Sequence, residues 1–126
     1  MSPKTVIFTA GILGALSVAI GAFGAHGLES TLQANGRIET FETAVKYQFY
    51  HTIAILLLGI LMFNMESHYF NWAFYSFLAG IFVFSGSLYT LSLTNITWLG
   101  AITPIGGVGF ILGWIFLALG TLKAAN

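Results

Sequence analysis

The sequence predicts an all-α membrane protein in which four helices cross a bilayer as one small bundle, and three observations carry the prediction. The first is composition: 57% of the 126 residues are hydrophobic and 6% are charged, where an average soluble domain carries about 25% charged residues. A soluble chain this small exposes a large share of its residues and needs far more charge to cover them; lipid removes that need. The second is that the apolar residues form four continuous runs of spanning length, and not the alternating pattern of a membrane barrel. The third is that the 15 glycines fall largely inside those runs. Soluble helices avoid glycine there, whereas membrane helices use it for close packing.

The whole chain, 1–126, reads as a single four-helix transmembrane domain. The first crossing, 5–28, holds no Asp, Glu, Lys or Arg. At about 1.5 Å per residue it reaches about 36 Å, enough for a hydrocarbon core of about 30 Å, and it is too long for a signal-peptide core of about 7–15 residues. Glu29 to Lys46 is the longest polar connection. Within it Asn35-Gly36 marks a turn. From Arg37 onward Ile38, Phe41 and Val45 form one stripe, with Glu42 and Lys46 on the other side. That pattern predicts a short amphipathic helix at the interface, 37–46, feeding the second crossing, 47–63. A short polar loop leads to the third crossing, 71–93, with Trp72, Tyr75 and Tyr89 near its ends, where aromatic belts sit. Pro104 falls in the first turn of the fourth crossing, 103–123, where its missing N–H costs little. Trp98 and Trp114 are its expected interface anchors.

Four crossings leave both termini on one side, here side A. Lys4 and Lys123 on side A balance Arg37 and Lys46 on side B, so the positive-inside rule comes close to a tie. Glu39 and Glu42 tilt it slightly toward cytoplasmic termini. The formal net charge is zero, which offers no basic field for nucleic acid. Without cysteine there are no disulfides, thiolate metal sites or cysteine nucleophiles. No cofactor and no metal are predicted. The expected partners are membrane lipids, a second copy of the chain, or another membrane protein.

Small residues mark the packing seams. Ala10, Gly14, Ser17, Gly21 and Gly24 recur at spacings of four and three, which puts all five on one helix face. Gly106, Gly109, Gly113 and Gly120 repeat the device on the fourth crossing. Glycine is common in membrane helices, but five small residues in register form a strip that a neighbouring backbone can approach closely. Phe49, Ile53, Phe77 and Phe84 are the expected bulky partners. Whether the seams join helices within one chain or between chains stays open.

Polar groups inside a membrane are costly, so their placement is informative. Traced across the bilayer, His26 ends the first crossing on side B, and Gln48 and His51 begin the second there. Ser85, Ser87 and Tyr89 fall in the side-B half of the third, and Thr103 opens the fourth. Together they predict a polar cluster at one end of the bundle, with Glu29 and Glu42 just beyond it and Glu66 and His68 at the other end. Two histidines could ligate haem or a transition metal, but the spacing matches no ligand motif and no third nitrogen accompanies them. A histidine beside a carboxylate could relay protons or gate a pore, yet transporters favour mid-membrane charges and inverted repeats, which the sequence lacks. Ser85 or Ser87 with His51 lacks the surroundings of an activated nucleophile, so the balance is against an enzyme. In the plainer reading Gln48, His51, Ser87 and Thr103 join helix ends by hydrogen bonds worth about 0.6–2 kcal/mol each. Ser and Thr also bond their own helix carbonyls, His26 caps a helix end, and Tyr47, Tyr50 and Tyr89 lie in the headgroup belt. The expectation is a structural or accessory membrane protein. The alternative is a small transporter, channel or proton-conducting protein.

The same residues carry a resemblance. Gly21-Ala-Phe-Gly-Ala-His-Gly-Leu28, Tyr47-Gln-Phe-Tyr-His51, Phe84-Ser-Gly-Ser-Leu-Tyr89 and Thr103-Pro-Ile-Gly-Gly107 followed by Gly113-Trp114 resemble the domain-of-unknown-function 423 family. Those are small bacterial inner-membrane proteins with a eukaryotic relative, transmembrane protein 256. The resemblance covers essentially the whole chain. It implies a four-helix membrane protein and assigns no activity, substrate, cofactor or catalytic residue.

Overall fold

Residues 1–125 are described by a computed structural model. Helix α1 spans Pro3–Gly27, the short α2 Glu29–Asn35, α3 Ile38–Leu61, α4 His68–Thr94 and α5 Thr103–Lys123. A 3-10 turn, Thr97–Ala101, leads into α5. The helices α1, α3, α4 and α5 are the ones long and apolar enough to cross a membrane. Inside lipid each must satisfy its own backbone groups, which a continuous helix does.

The connections are closed by local chemistry. Gly36 takes φ 65°, and Arg37 N–H bonds the Leu32 carbonyl at 2.9 Å while Gly36 N–H bonds the Gln33 carbonyl at 3.1 Å. This crossed pair stops α2. Asn95, at φ 56°, ends α4. The Asn35 amide donates to the Ser92 carbonyl at 3.0 Å, and Arg37 Nε donates to Asn95 Oδ1 at 2.9 Å, so the two side-B connections are tied together. On side A, Glu66 and Ala125 exchange backbone hydrogen bonds at 3.1 Å.

The expected interfacial helix over 37–46 is not a separate element. Residues 38–46 are the first turns of α3, because no glycine or proline interrupts the helix between Ile38 and Gly59. The separate short helix lies earlier, at α2, with Leu32 buried beneath it.

Helix α1 packs along α3, α3 against α4, and α4 along α5. The α4–α5 contact is an interlock of rings and glycines at seven-residue spacing. Phe70, Phe77 and Phe84 of α4 meet Gly120, Gly113 and Gly106 of the antiparallel α5, and Phe110 of α5 meets Gly80 in return. A Cβ at Gly120 would stand 2.6 Å from Phe70 Cε1, and one at Gly106 would stand 2.7 Å from Phe84 Cα. Gly109 lies against Gly80, where the backbones themselves approach. On α1 the strip faces α3: Ala10 and Ser17 are buried, Gly14 faces Thr52, Gly21 faces Val45, and Gly24 lies beside Phe41. Both seams therefore join helices of one chain. Of the expected bulky partners, Phe77 and Phe84 fill them, whereas Phe49 and Ile53 are about 40% exposed on the outer face of α3.

Candidate functional site

The register between α1 and α3 sets depth. Gly14 faces Thr52 and Gly21 faces Val45, so Gln48 is level with Val18 and His51 with Ala15, close to the middle of α1. This corrects the expected depth of both. The second crossing helix begins at Ile38 and not at Tyr47, which carries Gln48 and His51 about 15 and 20 Å in from its start at about 1.5 Å per residue. Trp114 likewise sits halfway along α5 and not at an interface. Tyr47 and Tyr50 fall on the same inner turns of α3, deeper than a headgroup belt.

Gln48 is the hub. Its Nε2 donates to the Leu13 carbonyl of α1 at 3.2 Å, and its Oε1 accepts from the Tyr89 hydroxyl of α4 at 2.6 Å. Ser17 bonds the same Leu13 carbonyl at 2.8 Å, and Thr52 bonds the Gln48 carbonyl at 2.7 Å. Three helices thus meet on one buried amide.

His51 is the second element. Its Nδ1 lies 2.8 Å from the Tyr47 carbonyl, and its Nε2 lies 3.1 Å from Trp114 Nε1 of α5. An indole N–H only donates and a carbonyl only accepts. Nε2 is therefore the lone-pair nitrogen and Nδ1 carries the proton. The Phe110 ring stacks on the imidazole at 3.6 Å with an 8° tilt, and Trp114 closes its edge.

Nearer side B, Ser85 Oγ donates to the Ala44 carbonyl at 2.7 Å. It does so from the last residue of a widened turn, Ile81–Ser85, in α4; a matching turn, Ala19–Gly24, lies in α1, so α3 passes between two such irregularities. Ser87 and Thr103 hydroxyls meet at 2.7 Å and join α4 to α5. Ser87 also bonds the Phe84 carbonyl of its own helix at 3.0 Å.

The predicted residues therefore do not form one cluster at one end. His26 stands apart, exposed on the last turn of α1. It lines a cavity of about 320 Å³ on side B with Glu29, Glu42, Leu32 and Phe41. The two histidines do not face a common ion position, and both ring nitrogens of His51 are engaged. Neither Ser85 nor Ser87 pairs with His51: Ser85 bonds the Ala44 carbonyl, and Ser87 bonds Thr103 and the Phe84 carbonyl. On side A a wider hollow of about 640 Å³ is lined by Glu66, His68, Tyr69 and Lys123, with Lys123 Nζ 5.9 Å from the Tyr69 ring centre. The sequence reading missed Trp114 as the donor to His51. Trp114 stands against Phe77, with ring centres 5.2 Å apart, and that contact follows only once α5 packs on α4.

The family model described as "Protein of unknown function (DUF423)" matches residues 20–107. The chain belongs to this family. The UPF0382 membrane protein SAB0533 of Staphylococcus aureus (strain bovine RF122 / ET3-1) is 49% identical over 119 residues, covering 91% of this chain and 96% of the relative. The UPF0382 inner membrane protein YgdD of Escherichia coli (strain K12) is 38% identical over 125 residues, covering 98% of this chain and 93% of the relative. No solved structure matches the chain. Family and fold together make it an integral membrane protein, a four-helix bundle of a family to which no activity is assigned.

Proposed function

We propose that the protein is an accessory unit of the inner membrane that works through lipid and protein neighbours, and not by chemistry or transport at its interior polar layer. One observation carries the reading. Among the described residues, no buried side-chain nitrogen or oxygen lacks a hydrogen-bond partner within the chain. Those bonds link α1 to α3, α3 to α4, α3 to α5 and α4 to α5. Satisfied polar groups between helices hold a membrane bundle together, and groups committed to one another offer no exchangeable site for a passing ion or substrate.

Gln48 and His51 nevertheless lie at the depth where transporters keep their sites, so conduction is the reading to test against. Purified protein in liposomes carrying a pH gradient is expected to add no proton flux over protein-free vesicles. A flux that His51→Ala removes and Gly11→Ala retains replaces the accessory reading with a conducting one. For orientation we favour cytoplasmic termini, since the basic Lys4 and Lys123 flank the first and last crossings while Glu39 and Glu42 accompany the basic residues of side B. An impermeant thiol reagent applied to intact cells is then expected to leave Ser2→Cys unlabelled, and labelling reverses the assignment.

A further inference from the structure

The outer face of α3 is badly matched to lipid. Glu39, Glu42, Lys46, Phe49, Ile53, Leu56 and Ile60 follow one another at spacings of three and four along one stripe of the helix, and all are exposed. The deep half of the stripe is apolar and the side-B half is charged. Lys46 follows Val45, which faces Gly21, so Lys46 is level with Ile20 of α1, inside the run from Thr5 to Leu28 that holds no Asp, Glu, Lys or Arg. That run is about 36 Å long and the hydrocarbon core about 30 Å thick, so wherever the slab sits between Lys4 and Glu29 the level of Lys46 lies about 6–13 Å inside it. Tyr50, level with Leu16 and 54% exposed, points its phenol outward deeper still. No comparable charge stands at this depth on the exposed faces of α1, α4 or α5 among the described residues.

Lipid tails solvate neither an ammonium nor a phenol hydroxyl, and intramembrane charges pair with one another or face protein. A second copy supplies the pairing. We propose that two chains associate through this face about a two-fold axis along the membrane normal, so that their α3 helices run side by side in the same direction. The three-and-four spacing is that of a parallel two-stranded seam, and the interface is self-complementary because the same patch serves both chains. Glu42 lies one helical turn toward side B from Lys46. Each Lys46 ammonium, extending toward side B, then comes between its own Glu42 carboxylate and that of the second copy, these four charges sum to zero, and Glu39 lies beyond them at the side-B end of the stripe. Phe49, Ile53, Leu56 and Ile60 pack below them, with Tyr50 flanking the seam. The glycine strips are excluded as the dimer contact because both are already filled within one chain. This deepens the accessory reading by naming its first protein neighbour, and it stands or falls separately from it, because the flux experiment reads conduction and the one below reads association.

The native chain has no cysteine, so a single introduced thiol reports one position. Ile53→Cys, Phe82→Cys on α4 and Ile111→Cys on α5, all at exposed sites, are compared in native membranes under mild oxidation. Disulfide-linked dimer is expected at residue 53 and not at 82 or 111. In detergent, Glu42→Lys and Lys46→Glu are each expected to raise the monomer–dimer dissociation constant about tenfold or more, as like charges meet in the seam, and the double exchange is expected to restore it. Native mass spectrometry and circular dichroism separate loss of dimer from loss of fold. A wild-type chain that stays monomeric, equal cross-linking at all three sites, or charge variants that dimerise normally overturns the proposal.

Discussion

Putting a methyl group at Gly113 tests whether the ring-and-glycine interlock holds α5 in place. The added Cβ would stand 2.6 Å from Phe77 Cε1, where carbon atoms prefer about 3.5–4.0 Å. Phe77 cannot step aside: it is fully buried, with the Trp114 ring 5.2 Å away and the His51 ring 5.8 Å away. The helices must therefore separate by about 1 Å, and a gap of about 0.5–1 Å forfeits a quarter to a half of each dispersion contact across it. In lipid no hydrophobic force between helices makes up the loss. The expected cost of Gly113→Ala is about 1–3 kcal/mol, the usual range for overpacking. Gly106→Ala should cost at least as much, since its methyl would meet the Phe84 backbone, with Cα at 2.7 Å, and a backbone cannot rotate away. Gly11→Ala is the control: nothing lies within 4 Å of its Cβ position, so it should be neutral or slightly stabilising through helix propensity. Reversible unfolding in mixed dodecyl maltoside and dodecyl sulfate, followed by circular dichroism, measures all three. Equal midpoints for Gly11→Ala, Gly106→Ala and Gly113→Ala would refute the reasoning.

Two further predictions concern the polar layer. Gln48→Leu removes an amide that serves α1 and α4 together and leaves the Tyr89 hydroxyl without its acceptor, so it should destabilise by about 1–2 kcal/mol, against about 0.6 kcal/mol for Tyr89→Phe. A double-mutant cycle should find the two coupled, and simple additivity would show that the 2.6 Å contact contributes nothing. Nitrogen NMR of labelled protein should find His51 neutral with its proton on Nδ1, and Trp114→Phe should free Nε2 and shift its resonance; a proton on Nε2 in the native protein contradicts the assigned direction of the Trp114 bond.

Several features were legible in the order of residues because they depend on local chemistry. Asn35-Gly36 is a turn signal read from two residues, and Gly36 stops α2 through its positive φ. Pro104 opens α5 within a turn of where its missing N–H is harmless. The spacing of Gly106, Gly113 and Gly120 marks a flat strip, and Phe77 and Phe84 are among the bulky partners expected for it. Other features were not legible. Helix α3 runs from Ile38 straight into the crossing because nothing before Gly59 breaks it, yet polar Glu39, Glu42 and Lys46 make those turns read as an interfacial segment outside the crossing. That error moved Gln48 and His51 to the edge of the membrane, and with them the apparent cluster that included His26.

The sequence by itself determined that four apolar segments cross a bilayer as helices, because a segment of about 20 residues surrounded by hydrocarbon must satisfy its own backbone hydrogen bonds. It also determined which helix faces are smooth enough for close approach, because small residues three and four apart must share a face. Only the tertiary structure decided the register of one helix against another, and register sets depth. Gly21 meets Val45 and Gly113 meets Phe77, and in the same packing Gln48 reaches Leu13 and Tyr89, His51 reaches Trp114, and Lys46 lies level with Ile20. Each of these pairings joins residues far apart in the chain, and no local preference selects them; rings seated on glycines set the register of α4 against α5, and small residues facing Thr52 and Val45 set that of α1 against α3.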